Sequence, residues 1–376
     1  MTEVQGRNDP AFDAVRDELA ARLAAEEELG AAIVVDVDGH VVVDIWGGWQ
    51  DADRRTPWGA DTVVNVWSST KMVTALAVLM LVDRGLLDPY APVARYWPEF
   101  AANGKDAVEV RHLLSHTSGV SGWDQPFQVE DMYDTEGATK RLAAQAPWWA
   151  PGTASGYHAQ NQGHLLGELI RRTDGRSLTA FVAEEIAGPV GADFSIGARD
   201  VDPARIAPVV PPPPLALEIP PDSVAFKTFT GPAASADAAN TDAWRKAELG
   251  ALNGHGNARS LNRILKALAL DGTVDGVRLL SPETIALTLE EQSHGVDLVL
   301  GVPLRFGIGF ALPESQTVPY VPQGRALYWG GWGGSLTIAD LDSRTTVSYV
   351  MNRMAPGIIG SDRSAAYVQV VQSCLT

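Results

Sequence analysis

Two side chains with complementary chemistry stand three residues apart in the segment 66–74: the hydroxyl of Ser68 and the amine of Lys71. If this segment opens a helix, the spacing places both groups on one face, next to the unpaired N–H groups of the first turn. A serine hydroxyl needs a base to remove its proton, and a lysine in apolar surroundings can have a pKa low enough to serve. The pair is a candidate nucleophile and base. The alternative is a helix-capping serine and a solvated lysine.

A tyrosine is the second candidate. The turn-rich segment 151–157 ends at Tyr157, just before a predicted helix over 160–172. A phenol there could lie over Ser68 and Lys71, where a neighbouring ammonium would favour the phenolate and let it pass protons. The alternative is a tyrosine that packs at a helix N-terminus. We expect His158 to be a hydrogen bonder at the helix start and not a catalytic base.

Glycines at 330, 331, 333 and 334 precede the apolar segment 335–341. Residues without a side chain let a substrate lie along a strand edge and let a backbone N–H reach a developing oxyanion. Two donors make an oxyanion hole, and the sequence predicts the N–H groups of Ser68 and Trp332. A plain turn or bulge is the alternative interpretation of the glycine pairs.

The elements that must position these groups follow from hydrophobic periodicity. Strand and helix patterns at both ends enclose a mostly helical middle, which predicts one sheet layer built from both termini and interrupted by a helical domain. We predict a sheet domain over 1–88 and 281–376, a helical domain over 89–280, and a site between them. The proline-rich section 203–232 is predicted to be an extended surface loop, with an interdomain linker as the alternative. The predicted elements are a helix from Asp9 to about Leu29, a hairpin over 32–37 and 41–46, a buried helix ending near Gly85, helices over 110–114, 139–145, 160–172, 178–186 and 258–270, strands over 306–311, 335–341 and 344–351, and a last helix capped by Ser361.

Composition excludes several classes of protein. The 376 residues are 45% hydrophobic and 20% charged, as in a globular protein, and the net charge of −17 argues against nucleic acid or an anionic membrane as the main partner. No apolar run is long enough to span a bilayer, and a cytoplasmic location is expected. The single cysteine, Cys374, allows no disulfide, and the seven histidines contain no His-Glu-x-x-His pattern. We expect no metal and no cofactor. The oligomeric state stays open.

Four ordered motifs together resemble the class C β-lactamase-like serine hydrolases, and among them the family VIII carboxylesterases. They are Trp-Ser-Ser-Thr-Lys at 67–71, His-Leu-Leu-Ser-His-Thr-Ser-Gly at 112–119, Pro-Gly-Thr with Tyr157, and Trp-Gly-Gly-Trp-Gly-Gly-Ser at 329–335. The resemblance implies the α/β (α+β type) fold of β-lactamases and penicillin-binding proteins, an antiparallel sheet flanked by helices with an inserted helical domain. It also implies that Ser68 is acylated, that Lys71 and Tyr157 transfer protons, and that His112 and His116 are buried hydrogen-bonding side chains.

Departures from the penicillin-recognising pattern set the predicted substrate. The third motif begins with Trp329 where those enzymes have a lysine, so a cation for a substrate carboxylate is missing. We predict a serine carboxylesterase for small-molecule esters, with substrate contacts from Trp329, Gly330, Gly331 and Trp123. The alternatives are an acyltransferase or amide hydrolase that uses the same residues and, from another class, a catalytically silent binding protein.

Overall fold

The architecture was obtained as a computed structural model that describes residues 3–213, 219–233 and 235–375. Residues 214–218, within the predicted surface loop 203–232, lie outside the described ranges. The described strands are β1 (Gln5–Asn8), β2 (Gly30–Val37), β3 (His40–Gly48), β4 (Val63–Asn65), β5 (Phe194–Ile196), β6 (Ile206–Ala207), β7 (Gly254–Gly256), β8 (Thr273–Val274), β9 (Val277–Arg278), β10 (Ser293–Val296), β11 (Pro303–Phe306), β12 (Ala311–Leu312), β13 (Ala326–Gly330), β14 (Leu336–Asp340) and β15 (Thr345–Met351). The described α-helices are α1 (Asp13–Ala24), α2 (Thr70–Asp83), α3 (Val110–Leu114), α4 (Thr135–Ala144), α5 (Gln162–Thr173), α6 (Leu178–Phe181), α7 (Gly188–Val190), α8 (Val224–Thr230), α9 (Asp242–Lys246), α10 (Ala258–Ala269), α11 (Pro282–Thr288) and α12 (Asp362–Leu375), with a π-helical segment, Val182–Ala187, joining α6 to α7.

Nine of these strands form one antiparallel sheet in the order β1-β3-β2-β15-β14-β13-β12-β11-β10. Strands from the start and the end of the chain meet where β2 pairs with β15, so both termini build the sheet, as predicted. The β2–β3 hairpin turns at Asp38 and Gly39, which both have positive φ, the geometry that Asp-Gly favours in a two-residue hairpin. Strands β2 and β15 are buried at nearly every position, because helices cover both faces of the sheet.

Helix α2 runs through the middle of the molecule. Every residue from Thr70 to Leu81 is buried, and between Lys71 and Asp83 the helix carries no charged side chain. A helix that is apolar on all sides must be surrounded by protein. It contacts α5, α10, α11 and β13, so the residues at its N-terminus lie between the sheet and the helices of the middle of the chain.

Some elements differ from the predicted ones. The predicted strand 306–311 is interrupted, since β11 ends at Phe306 and β12 begins at Ala311, with Gly307 and Gly309 between them. Helix α8 lies inside the section that was predicted to be extended. A second sheet, in the order β5-β7-β4-β6, was not predicted. The division into domains at residues 88 and 280 remains a prediction, and α10, from the predicted helical domain, packs on β2, β14 and β15.

Candidate active site

Ser68 lies in a tight turn immediately before α2. The preceding residue, Trp67, has a φ of 50°, a conformation that is costly for a bulky side chain and occurs mainly where surrounding structure enforces it. Strand β7 supplies that restraint: the Val66 N–H donates to the Gly254 carbonyl over 2.8 Å, and the Gly254 N–H donates to Thr70 Oγ1 over 2.8 Å. The serine is therefore presented on a turn that hydrogen bonds hold on both sides.

The glycine-rich segment after β13 binds the same turn through hydrogen bonds from the side of the sheet. Ser335 Oγ donates to the Val66 carbonyl over 2.8 Å, and because that uses its only proton, the Ser69 hydroxyl donates to Ser335 over 3.0 Å. A Cβ on Gly331 would lie 2.5 Å from the Val66 carbonyl oxygen and 2.3 Å from Ser335 Oγ. Glycine at 331 is thus required by the close approach of the sheet to the serine turn.

Lys71 is 3% exposed, and its Nζ has three neighbours at hydrogen-bond distance. Ser68 Oγ lies 3.1 Å away, the Ala159 carbonyl 2.8 Å and the Ala251 carbonyl 2.9 Å. Burial holds the pKa of Lys71 well below its usual range. A neutral amine has two N–H groups and one lone pair; the two carbonyls can accept only the N–H groups, so the lone pair is left for the Ser68 hydroxyl. This arrangement suits proton abstraction from the serine.

Tyr157 lies against the pair, with Lys71 Nζ 4.9 Å from the centre of its ring. The Trp329 indole N–H donates to Tyr157 Oη over 3.0 Å. Burial raises the pKa of Tyr157, and hydrogen bonding with Ser68 and with Trp329 offsets this only in part. The predicted phenolate is therefore wrong for the resting site: burial raises the pKa of the phenol, and the lowered pKa of Lys71 weakens the attraction of that side chain for a phenolate.

A hydrogen-bonded network holds Tyr157 from behind. The carboxylate of Asp297 accepts from the Tyr157 backbone N–H over 3.1 Å, and the His116 ring meets the tyrosine edge-on at 5.0 Å. His116 Nδ1 accepts from the His158 N–H, while His158 Nε2 lies 2.6 Å from Ser118 Oγ. Burial lowers the pKa of His158 to about 3 and that of His116 well below 6.5. Both imidazoles are uncharged supports, as expected for the hydrogen-bonding role of His158.

The N–H groups predicted for an oxyanion hole are those of Ser68 and Trp332. On either side of Trp332, the Gly331 N–H donates to the Ser335 carbonyl and the Gly333 N–H to the Gly357 carbonyl. Among the described residues, neither the Trp332 N–H nor the Ser68 N–H has a protein acceptor. The Trp332 ring packs edge-on against Trp67, with centroids 5.1 Å apart, which keeps the two segments together.

The two tryptophans predicted to contact substrate have other partners. Trp123 is 1% exposed; it stacks on Phe127 at 4.3 Å, and its indole N–H donates to the Ala138 carbonyl over 3.0 Å. A side chain engaged in this way offers no surface to a substrate, so the structure does not support the role predicted for Trp123. Trp329 is 3% exposed, and its polar atom faces Tyr157. Its position supports the tyrosine.

Comparison with known proteins identifies the family to which the chain belongs. The protein-family model described as Beta-lactamase matches residues 15–371. The chain belongs to the beta-lactamase family. It is 34% identical to "Esterase/beta-lactamase LipL" of Mycobacterium tuberculosis, over 96% of this chain and 86% of that protein, and 30% identical to "Esterase EstB" of Burkholderia gladioli, over 94% and 95%. A solved structure titled as a family VIII carboxylesterase superposes with a TM-score of 0.93 at 39% identity, covering 99% of this chain and 100% of that one. The resemblance to this branch and the predicted fold class are confirmed.

Within this beta-lactamase family member, several site residues carried no signal that sequence reasoning could use. The carbonyls of Ala159 and Ala251 hold Lys71 through backbone atoms, which side-chain identity does not reveal. Asp297 follows β10 in an unremarkable hairpin, and only the fold brings it under Tyr157. Ser335 was part of a motif, but its bond to the Val66 carbonyl was not expected.

The histidine pair at 112 and 116 has ordinary hydrogen-bond roles. His112 is half-buried, and its Nδ1 accepts from the Glu109 N–H over 3.1 Å, which caps α3. In the part of the chain that the structure describes, no three His, Cys, Asp or Glu side chains are placed to hold a metal ion. Across the same residues, none of the helices has the length and apolar character needed to cross a membrane.

Proposed function

We propose that this chain is a serine carboxylesterase in which Ser68 forms the acyl-enzyme. The observation that carries the proposal is the hydrogen-bond arrangement of Lys71, whose two carbonyl acceptors leave its lone pair for the Ser68 hydroxyl 3.1 Å away. The esterase names of LipL and EstB and the carboxylesterase title of the superposed structure support the same activity. A cytoplasmic location remains a prediction.

Acylation of Ser68 proceeds through proton transfers that involve Lys71 and Tyr157. Lys71 takes the Ser68 proton as Oγ attacks the ester carbonyl, and the carbonyl oxygen becomes an oxyanion next to the N–H groups of Ser68 and Trp332. When the C–O bond breaks, the departing alkoxide takes the proton of Tyr157. The protonated Lys71 then returns a proton to the phenolate. The acyl group is left on Ser68 and the alcohol leaves.

Deacylation repeats these steps with water. A water molecule attacks the acyl carbonyl and gives its proton to the Lys71–Tyr157 pair. The second tetrahedral intermediate then expels Ser68 Oγ, which regains a proton from Lys71. The indole N–H of Trp329 has a defined part in both halves. It stabilises the charge that appears on the Tyr157 oxygen whenever the tyrosine has released its proton.

Covalent labelling tests the proposal. Treatment with a p-nitrophenyl alkylphosphonate should add one phosphonyl group, located on Ser68 by mass spectrometry, and should abolish hydrolysis of p-nitrophenyl butyrate. Ser68→Ala should lose both labelling and hydrolysis while keeping its folded circular-dichroism spectrum. Ser69→Ala is the matched control, since it removes a hydroxyl from the same turn and should still be labelled. Equal labelling of the Ser68→Ala protein would assign the nucleophile to another residue and would reject the proposal.

A further inference from the structure

A cavity of about 1160 Å³, away from the catalytic residues, lies among the helices of the middle of the chain. Helices α4, α5 and α6 contribute to its wall, and the segment 245–248 closes one side. Neither Ser68, Lys71, Tyr157 nor Trp329 lines it. Its volume exceeds the range typical of small-molecule sites, roughly 300–1,000 Å³, so it is large enough for an organic ligand.

Among the described residues, the side chain of Arg245 in this wall has no hydrogen-bond or salt-bridge partner, although the Asp242 carboxylate attracts it from a longer distance. Arg245 is partly buried, its Nε is enclosed without a hydrogen-bond acceptor, and among the described residues its guanidinium has no carboxylate within salt-bridge distance. Burial lowers the pKa of Arg245. By contrast, Arg171 and Arg172 in the same wall are both paired with Glu168, at 2.7 and 2.5 Å. An enclosed Nε–H without an acceptor is unfavourable, and an anion in the cavity would satisfy it.

The surroundings define the class of anion. A guanidinium presents a planar fork that matches a carboxylate. Acidic side chains also line the cavity, including Glu99, Asp200 and Glu248, so a multiply charged anion would meet repulsion that a single charge largely escapes. Small apolar side chains complete the wall. They are Ala102, Ala143, Ala180, Ala183, Ile196 and Ala247.

We propose that this cavity is a binding site for an amphipathic monocarboxylate, with the carboxylate on Arg245 and an aliphatic chain along the alanine-lined wall. The acid that an ester hydrolase releases belongs to this chemical class. That link to product binding rests on the proposed function, whereas binding in the cavity does not. The site is separate from the catalytic cleft, and it should remain available after Ser68 has been blocked.

Calorimetry on the full chain tests the proposal, with sodium octanoate as the probe. The phosphonylated enzyme should bind one octanoate with saturation. Octanol and octylamine should bind at least about tenfold more weakly, because they lack the anion, and inorganic phosphate should show no saturable binding. If labelling fails, the esterase proposal fails, and titration of the Ser68→Ala protein still decides whether the cavity binds octanoate. The absence of saturable octanoate binding to either protein would overturn the inference.

Three variants test whether octanoate binds in this cavity. Arg245→Gln should weaken octanoate binding at least about tenfold. Since the Arg245 side chain has no hydrogen-bond partner among the described residues, this variant should melt no lower than the wild type without ligand. Arg55→Gln removes the same charge from an exposed loop and should bind octanoate normally. Ala180→Trp should block binding by filling the cavity. Normal octanoate binding by both the Arg245 and the Ala180 variants would show that the ligand binds elsewhere and would reject the proposal.

Discussion

Substitution of Trp329 offers the sharpest test of the site. Removing its indole N–H distinguishes a hydrogen-bond donor to Tyr157 from a residue that only packs against it. An indole is a donor only, so the bond to Tyr157 makes the phenol oxygen an acceptor and leaves the phenol proton free for Ser68 or the leaving group. Trp329→Phe removes this donor and keeps an aromatic ring beside Tyr157 and Phe306, which lie at centroid distances of 5.0 and 5.5 Å.

The expected magnitude depends on when the tyrosine carries charge. In the resting enzyme the phenol is neutral, and a neutral hydrogen bond contributes about 0.5–1.5 kcal/mol. In the transition state for leaving-group departure the oxygen is becoming anionic, and a hydrogen bond to a charged group is worth about 1.5–3 kcal/mol. Because part of this bond already exists in the ground state, we expect kcat to fall roughly 5- to 50-fold, with little change in KM.

The assay is steady-state hydrolysis of p-nitrophenyl butyrate, together with the melting temperature of each variant. Trp123→Phe is the matched control, since it also removes an indole hydrogen bond from a buried ring, in this case to the Ala138 carbonyl. It should lower the melting temperature and leave kcat unchanged. A Trp329→Phe enzyme with kcat within twofold of the wild type, or an equal loss in both variants, would refute the reasoning.

The remaining predictions concern the same site. Lys71→Met should raise the free energy of unfolding, measured by urea denaturation near neutral pH, by about 1–4 kcal/mol, because it removes a buried amine. The pKa of Lys71 is lower in the folded state than in the unfolded chain, so the unfolded wild-type chain binds the extra proton. The stability gained by the variant should therefore shrink as the pH rises toward about 10.4, the pKa of lysine in the unfolded chain. Lys71→Ala and Tyr157→Phe should each slow acylation by orders of magnitude, and stopped-flow rates should show much less than a multiplicative loss in the double variant, as they act as one unit. Hydrolysis should survive dialysis against a chelator, and a loss that zinc restores would contradict the mechanism. The kcat/KM for p-nitrophenyl butyrate should exceed that for a chromogenic cephalosporin at least about a thousandfold, or about 4 kcal/mol, and Trp329→Lys should narrow the difference.

Local patterns were sufficient for much of the fold. The hairpin of β2 and β3 follows from two β-rich runs around Asp38 and Gly39, and α2 follows from the apolar run that begins at Ala75. The small sheet containing β4 and β7 could not be predicted. Its strands have two or three residues each, and their partners lie far away in the chain. Segments of that length carry too little periodicity to be distinguished from loops.

In the site, the types of the reacting groups were accessible from sequence and their charges were not. The spacing of Ser68 and Lys71 and the position of Tyr157 before a helix indicated which side chains to bring together. The charge of a lysine depends on how completely the fold buries it. The two carbonyls that hold Lys71 belong to Ala159 and Ala251, which are 88 and 180 residues away from it along the chain. The phenolate expected from an adjacent ammonium was wrong for this reason.

The same burial links the proton-transfer chemistry to the choice of substrate. Burial lowers the pKa of Lys71 and raises that of Tyr157. Trp329 supports the tyrosine with an uncharged N–H, at the position where the resemblance to penicillin-recognising enzymes implies a cation. A lysine at 329 would attract a substrate carboxylate, but it would also lower the pKa of Tyr157 and oppose protonation of Lys71 nearby. A neutral donor avoids both effects while still stabilising charge on the tyrosine oxygen during the reaction. Without a cation at position 329, an anionic substrate has no charged partner in the site. The absence of that charge therefore favours neutral esters and also lets Lys71 act as a base.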